Sequence, residues 1–231
     1  LHRLSDFGIK MITLAPELPG AQELAASLFD KGILCSIGHS DADYETSISA
    51  ITNGFSSVTH CFNQLRPFHQ REPGVLGAAL LKPELAVELI ADGIHLHPAT
   101  LELVLKLKGP EKIFLVSDAM APTGMPNGKY QTPEGELTLN KGSLTNQNGD
   151  LAGSVLTLEQ AVKNFMDYTG CELTDALRMA TYNPARYLGI NKRKGSVYPG
   201  KDADLVALTP DFEVVMTMVE GEVISGLISL D

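Results

Sequence analysis

The chain has 231 residues, of which 44% are hydrophobic and 20% charged, a composition typical of a globular protein able to bury a core. Its net charge of −10 at pH 7 argues against nucleic acid or an anionic membrane surface as a partner. No apolar run reaches the roughly 18–20 residues that a membrane span needs. The three cysteines are widely spaced and form no CxxC motif, so we expect a reducing compartment, the cytoplasm.

Predicted strands and helices alternate along the first half of the chain. Apolar runs predict strands, and amphipathic stretches closed by glycine, proline or asparagine predict helices. The predicted strands are 9–15, 33–38, 57–60, 85–91 and 113–117, and the predicted helices are 22–31, 44–52, 76–81 and 98–107. Because these strands are almost wholly apolar and alternate with helices, we expect a parallel sheet buried on both faces.

The pattern changes after residue 118. Glycine-punctuated residues 129–143 predict a β-hairpin insertion around 128–150. Thr157 and Gln160 are typical of a capping box at the start of a helix, and a second helix is predicted over 174–182. The tail predicts strands at 204–208 and 214–219. The second half of the chain therefore does not continue the strand–helix alternation.

Two histidines stand at the ends of consecutive predicted strands, His39 after the second and His60 after the third. The carboxyl ends of parallel strands meet at one edge of the sheet, which would bring the two imidazoles side by side. Taken singly, each is more simply interpreted as an ordinary polar residue at a strand end. Taken as a pair, with Gly38 allowing close approach, they predict a site for Zn²⁺ or a similar divalent ion.

Asp118 follows the fifth predicted strand and can face the same edge. A carboxylate alone activates water poorly, because its pKa is about 3.9 against 15.7 for water. With a divalent ion that lowers the pKa of bound water to about 7, the carboxylate needs only to accept and return a proton. The simpler interpretation of Asp118 is a helix N-cap or a turn residue.

A loop suited to anions follows His60. No carboxylate occurs between His60 and Arg71, and Asn63 lies within the loop. Arginine offers a planar fork for phosphate or carboxylate, and asparagine adds a hydrogen bond. Together with His95, at the end of the fourth predicted strand, these residues predict an anionic substrate. The alternative for Arg71 is an exposed loop charge or an ion pair with Glu72.

Five segments closely resemble the N-acetylglucosamine-6-phosphate deacetylase family of the amidohydrolase superfamily: SIGHS (36–40), THCFN (59–63), REPG (71–74), IADGIH (90–95) and VSDA (116–119). NPAR (183–186) and GKDADL (200–205) resemble segments that many amidohydrolases share. The resemblance implies an α/β catalytic domain over 1–188, a TIM-type (β/α)8 barrel with the hairpin insertion around 128–150. It also implies that 189–231 supplies strands of a small β-sandwich domain.

The activity implied by this resemblance is metal-dependent hydrolysis of the N-acetyl group of N-acetylglucosamine 6-phosphate. His39 and His60 would hold one divalent ion, Zn²⁺ first and Fe, Mn or Co as alternatives, and Asp118 would be the catalytic acid/base. The residues implied to bind the sugar phosphate are Asn63, Gln64, Arg71, His95, Leu151, Ala152 and Gly153. The resemblance also implies a homodimer in which Arg71 reaches the neighbouring site.

One feature of the family is missing from this sequence. The third metal ligand is expected from a glutamate in an earlier Glu-Gly-Pro segment, which does not occur in these 231 residues. The chain also begins with Leu1, and its five strand–helix units match a barrel that lacks its first three. We therefore expect a fragment that is inactive alone.

Two alternatives stay open, another amidohydrolase acting on a different amide and a non-catalytic fragment. The carboxylate-free loop ending at Arg71 argues against the first. For the second, the presence of both histidines and Asp118 argues against loss of catalysis in the parent enzyme, whereas the missing glutamate argues for an inert fragment.

Overall fold

The fold is given by a computed structural model that describes residues 8–133 and 135–226. The outer ends of the two predicted domains, 1–7 and 227–231, and one residue of the predicted hairpin insertion, 134, lie outside the described residues. The statements below concern the described part of the chain.

A five-stranded parallel sheet organises the first half of the chain. Its strands are β1 (Met11–Leu14), β2 (Leu34–Ile37), β3 (Phe55–Val58), β4 (Ala86–Leu89) and β5 (Ile113–Leu115). They lie side by side in chain order, and every pairing is parallel. The predicted α/β parallel sheet is therefore confirmed. The ladders are shorter than most of the apolar runs because the chain leaves the sheet soon after Ile37, Val58, Leu89 and Leu115.

A helix follows each of the first four strands, as predicted. These are α1 (Ala21–Phe29), α2 (Tyr44–Thr52), α3 (Gly74–Leu81) and α4 (Pro98–Lys108), and a 3₁₀ turn, Pro110–Lys112, leads into β5. Three more helices follow later in the chain, α5 (Leu158–Thr169), α6 (Leu173–Ala180) and α7 (Tyr182–Tyr187). These helices provide the layer that buries the apolar side of the sheet.

Two local helix predictions were wrong in detail. The predicted helix over 174–182 is divided between α6 and α7 at Thr181, whose φ of −132° and ψ of −78° interrupt the helical backbone. Thr157 is the N-cap of α5, but its side chain forms no capping hydrogen bond. The start of α5 was therefore predicted correctly, although the capping hydrogen bond on which the prediction rested does not form.

The two faces of the parallel sheet differ in polarity. Val58, Val87 and Leu89 are fully buried in the large hydrophobic cluster that includes helix residues such as Phe165. Side chains alternate along a strand, so the intervening residues point to the opposite face. There Ser36, Ser57 and Glu88 are buried. Both faces are therefore buried at these positions, as predicted, but one of them carries hydroxyls and a carboxyl group.

Two smaller antiparallel sheets complete the described structure. β6 (Gly128–Thr132), β7 (Gly135–Asn140) and β8 (Ser143–Thr145) form the predicted insertion, which has a third strand beyond the hairpin. β9 (Leu205–Leu208), β10 (Val214–Val219) and β11 (Glu222–Ser225) form the other sheet, in the order β11-β10-β9. The domain division at 188/189 stays a prediction. Within the described ranges, no helix has both the length and the apolar character to cross a membrane.

Candidate active site

Three polar residues leave the parallel sheet with the same unusual backbone conformation. His39 follows β2 with a φ of 49°, His60 follows β3 with a φ of 31°, and Asp118 follows β5 with a φ of 49°. This left-handed region costs a non-glycine residue roughly 1–3 kcal/mol and is concentrated at functional sites. All three residues line one cleft of about 540 Å³ at the carboxyl ends of the strands. The sequence-predicted pair of histidines and Asp118 are therefore brought together.

Gly38 permits the tight packing beneath His39. A Cβ atom at Gly38 would lie 2.5 Å from Cγ2 of Thr13, closer than real Cβ atoms approach, and 3.1 Å from Cβ of Thr59, a tight contact. Thr13 and Thr59 are also joined by a 2.9 Å hydrogen bond between their hydroxyl groups. The ends of the first three strands are thus drawn together at the base of the cleft.

The imidazoles of His39 and His60 face each other. Their Nε2 atoms lie 3.0 Å apart, and the ring centroids are separated by 4.9 Å. Two nitrogens bound to one tetrahedral zinc at about 2.0–2.1 Å would be roughly 3.3 Å apart. The observed spacing fits two ligands of a single ion, and it also fits a hydrogen bond in which one ring donates.

His60 lies in an environment that favours a neutral ring. Burial lowers the pKa of His60, the nearby Asp118 carboxylate opposes this effect, and His39 adds to the lowering. Its Nδ1 atom is buried and has no hydrogen-bond partner among the described residues. A neutral imidazole is the form that binds metal ions, so the pair fits a divalent ion.

The fit is to part of a coordination sphere. Among the described residues, no group of three His, Cys, Asp or Glu side chains is arranged to hold a metal ion. A catalytic zinc site ordinarily has three protein ligands and an open position. The described part of the chain therefore offers His39 and His60 as ligands and no complete site.

Asp118 is held in place by the segment that contains the predicted sugar-binding residues Leu151, Ala152 and Gly153. The N–H of Ser154 donates to the Asp118 carbonyl oxygen at 2.8 Å, and the Ser154 hydroxyl donates to the Ser117 carbonyl oxygen. A Cβ atom at Gly153 would lie 3.1 Å from the same Asp118 carbonyl oxygen. The predicted 151–153 segment therefore packs directly beside the candidate acid/base.

Asn63 and Gln64 are on the loop that follows His60. Nδ2 of Asn63 donates to the His60 carbonyl oxygen at 3.1 Å, and the Gln64 carbonyl oxygen accepts from the Ser40 N–H at 3.1 Å. The loop therefore links the segments that follow the two histidines. The Asn63 side chain is half-buried, whereas Gln64 is exposed.

Arg71 and His95 are not among the residues that line the cleft. Arg71 is exposed, and its side chain forms no hydrogen bond or ion pair with the described residues. His95 Nδ1 lies 2.6 Å from Oδ2 of Asp92, in a pair that is almost completely buried. The structure therefore places Arg71 on the surface and His95 in a fixed contact at the end of β4.

Two acidic residues of this region were not identified from the sequence. Glu17 accepts hydrogen bonds of 2.7 Å from the Ser40 hydroxyl and from the Asp41 N–H, which ties the segment after His39 to the end of β1. Glu88 accepts a 3.4 Å hydrogen bond from the His60 N–H. Burial raises the pKa of Glu88 to about 7, against the effect of that hydrogen bond. An acidic residue within an otherwise apolar strand was the signal for Glu88.

Curated relatives match nearly the whole chain. It is 41% identical over 215 residues to the N-acetylglucosamine-6-phosphate deacetylase of Bacillus subtilis strain 168, covering 93% of this chain and 54% of that protein. It is 36% identical over 225 residues to the N-acetylgalactosamine-6-phosphate deacetylase of Escherichia coli O157:H7, covering 97% of this chain and 59% of that protein. The chain thus spans little more than half the length of these relatives.

Solved structures of similar proteins also match nearly the whole chain. The N-acetylglucosamine-6-phosphate deacetylase of Thermotoga maritima superposes with a TM-score of 0.89 at 38% identity, covering 98% of this chain and 62% of that one. A mutant of the Mycobacterium smegmatis enzyme, in complex with N-acetyl-D-glucosamine-6-phosphate, gives 0.89 at 36% identity, covering 96% and 60%. The amidohydrolase family matches residues 4–224. Because that region contains all five parallel strands and both strand-end histidines, the chain belongs to the amidohydrolase family.

Proposed function

We propose that this site hydrolyses the N-acetyl group of N-acetylglucosamine 6-phosphate, giving glucosamine 6-phosphate and acetate. The observation that carries the proposal is the 3.0 Å approach of the His39 and His60 Nε2 atoms in the cleft that Asp118 also lines. Relatives at 41% identity that are named as deacetylases of this sugar phosphate support the choice of substrate.

His39 and His60 would hold one divalent ion through Nε2. When bound, such an ion lowers the pKa of a water ligand to about 7 and polarises a carbonyl group. Zn²⁺ suits imidazole ligands, and Fe²⁺, Mn²⁺ and Co²⁺ are alternatives for the same atoms. Asp118 takes a proton from the attacking water and gives it to the leaving amine nitrogen. The hydrogen bonds from Ser154 keep the Asp118 backbone in position for both transfers.

Sugar-phosphate binding is assigned to Asn63, Gln64, Arg71, His95 and the 151–153 segment. Arg71 is exposed, lies outside the cleft lining and has no side-chain partner in the described part of the chain. We therefore assign its guanidinium to the phosphate in the cleft of a second subunit. Light scattering coupled to gel filtration checks this assignment, and a monomer that still prefers the phosphorylated sugar would contradict it.

The 231 residues alone are expected to be inactive. The described residues supply two imidazoles but no third ligand to complete a metal site. Binding of substrate and turnover are therefore separate tests. The three cysteines are free, which supports a reducing compartment, and we place the protein in the cytoplasm.

Calorimetric titration of the purified chain with N-acetylglucosamine 6-phosphate tests the substrate assignment. Unphosphorylated N-acetylglucosamine should bind about tenfold more weakly or worse, because a charge-assisted hydrogen bond contributes roughly 1.5–3 kcal/mol. Arg71→Ala should remove most of that preference. Equal binding of the two sugars by the unaltered chain would contradict the assignment.

Acetate release, measured with and without added Zn²⁺, tests the expected inactivity. No turnover is expected, and measurable turnover would contradict the inactivity while supporting the proposed chemistry. N-acetylgalactosamine 6-phosphate belongs in both experiments, because relatives named for that sugar are 36% identical to this chain. Tighter binding of this epimer would make it the preferred substrate.

A further inference from the structure

We infer that Asp92 is a positioning residue that fixes the ring of His95, with the Nδ1–H on its carboxylate and Nε2 left for the sugar phosphate. The role of Nε2 rests on the proposed function. The orientation of the ring by Asp92 rests on the geometry of this chain.

The contact between the two side chains is short and protected from solvent. Asp92 Oδ2 lies 2.6 Å from His95 Nδ1, and the side chains of His95 and Asp92 are only 6% and 9% exposed. The other carboxylate oxygen, Oδ1, accepts hydrogen bonds of 2.8 Å from the N–H groups of Ile94 and His95. One carboxylate therefore fixes both the backbone that carries His95 and the ring itself.

The protonation state of Asp92 agrees with this arrangement. Burial acts to raise its pKa, but the hydrogen bonds from the His95 side chain and from the two backbone N–H groups outweigh burial and lower it. Asp92 is thus an ionised acceptor at neutral pH. An ionised carboxylate requires a protonated nitrogen opposite it, which assigns the proton to Nδ1.

Helix α5 packs against the loop after β4 that carries Asp92 and His95. Asn164 donates to the Ala91 carbonyl oxygen at 2.9 Å. A Cβ atom at Gly93, which has a φ of 76°, would lie 2.7 Å from the Tyr168 hydroxyl oxygen. Asn164 and Tyr168 are four residues apart and so share a helix face. These two contacts attach the loop to α5.

The position of the loop connects it to the site. Strand β4 lies between β3 and β5, so the loop leaves the sheet between the strand ends that carry His60 and Asp118. A neutral ring with its proton on Nδ1 has a bare Nε2, which accepts a hydrogen bond from a sugar hydroxyl group.

The test combines nitrogen NMR of the histidine rings with a double-mutant cycle. The His95 signals are assigned by their loss in His95→Gln. In the unaltered chain we expect the neutral ring to carry its proton on Nδ1, and in Asp92→Asn we expect a mixture of tautomers. Asp43→Asn is the matched control, because its carboxylate accepts a backbone N–H bond from Thr46 but contacts no histidine of the described residues.

Calorimetry with N-acetylglucosamine 6-phosphate completes the cycle. Asp92→Asn should weaken binding about tenfold in the unaltered chain and have no further effect in His95→Gln, because Asp92 acts through His95. An unchanged tautomer in Asp92→Asn, or an equal loss in both backgrounds, would overturn the inference. If the unaltered chain binds no sugar phosphate, the proposed function fails, while the NMR spectra still decide the role of Asp92.

Discussion

The parallel sheet and the β9–β11 sheet of this protein use apolar residues in opposite ways. Ile113 on β5 is completely buried, whereas Ile224 on β11 is 64% exposed. Of the described residues from 186 to 226, none is buried. A sheet gains most of its stability by covering one face with another layer. The parallel sheet has that layer in its helices, and the described residues give β9–β11 no comparable one.

The candidate site belongs to the first of these regions. His39, His60 and Asp118 hold a left-handed backbone that costs free energy, and each follows within three residues a strand embedded in the large hydrophobic cluster. Strained residues persist only where the surroundings determine their position. The buried core is therefore what keeps the three side chains in one cleft.

The largest expected effect comes from the same substitution made in both sheets. Ile113→Ala should lower the free energy of unfolding by about 2–5 kcal/mol, because it opens a cavity in the core. Ile224→Ala should change it by roughly 0.5 kcal/mol or less, because the side chain is mainly in water. Urea unfolding of both variants measures the difference. Similar losses would show that the β9–β11 sheet is covered by another layer and would contradict the contrast between the two sheets.

A smaller effect is expected at two glycines that both require positive φ. Gly153 has a φ of 68° and has Met120 Cγ 2.5 Å from the position of an added Cβ, whereas Gly200 has a φ of 90° and nothing within 4 Å. Gly153→Ala should destabilise the protein by about 1–3 kcal/mol more than Gly200→Ala, because it adds overpacking to backbone strain. Urea midpoints give the result. Equal midpoints would mean that the contact beside Asp118 is not tight.

The smallest predicted effect depends on pH. Burial, followed by the charge of Lys112, lowers the pKa of Lys108 from 10.5 to about 8. Between those values the unfolded state binds more protons than the folded state, so the contribution of Lys108 to the free energy of unfolding rises with pH. From pH 7 to 9.5, unaltered protein should gain about 1 kcal/mol relative to Lys108→Met, a value discounted for half-exposure.

Lys106→Met is the control for this measurement. Lys106 lies on the same helix, and its side chain is 70% exposed. The difference between unaltered protein and this variant should stay constant over the same pH range. If the free energies of unfolding of the two variants change equally with pH, Lys108 is not the cause of the pH dependence.

The sequence was sufficient to predict the parallel sheet and the residues at the edge where the carboxyl ends of its strands meet. Apolar runs separated by helices located β1 to β5 along the chain, and His39, His60 and Asp118 could be assigned to one edge because each follows a strand. Parallel strands leave little freedom about where their carboxyl ends lie. These features depend on periodicity, which a single sequence displays directly.

Other features depend on contacts between distant segments. The packing of Gly153 against Asp118 and the hydrogen bond from Asn164 to Ala91 join segments that no local pattern connects. The division of the predicted 174–182 helix at Thr181 is instead local, because Pro184 has no N–H to donate to the carbonyl oxygen of Ala180. The burial of Glu88 could have been suspected from its strand, but its contact with His60 could not.

Zinc titration of the purified chain tests the central claim, that His39 and His60 form the metal-binding part of the site. One Zn²⁺ per chain is expected, with affinity about tenfold lower or worse in His39→Ala and in His60→Ala. His97→Asn should bind like the unaltered chain, because His97 caps helix α4 through the Ala99 N–H and asparagine can replace it there. Equal zinc affinity in all four proteins, or no zinc binding by the unaltered chain, would contradict the account.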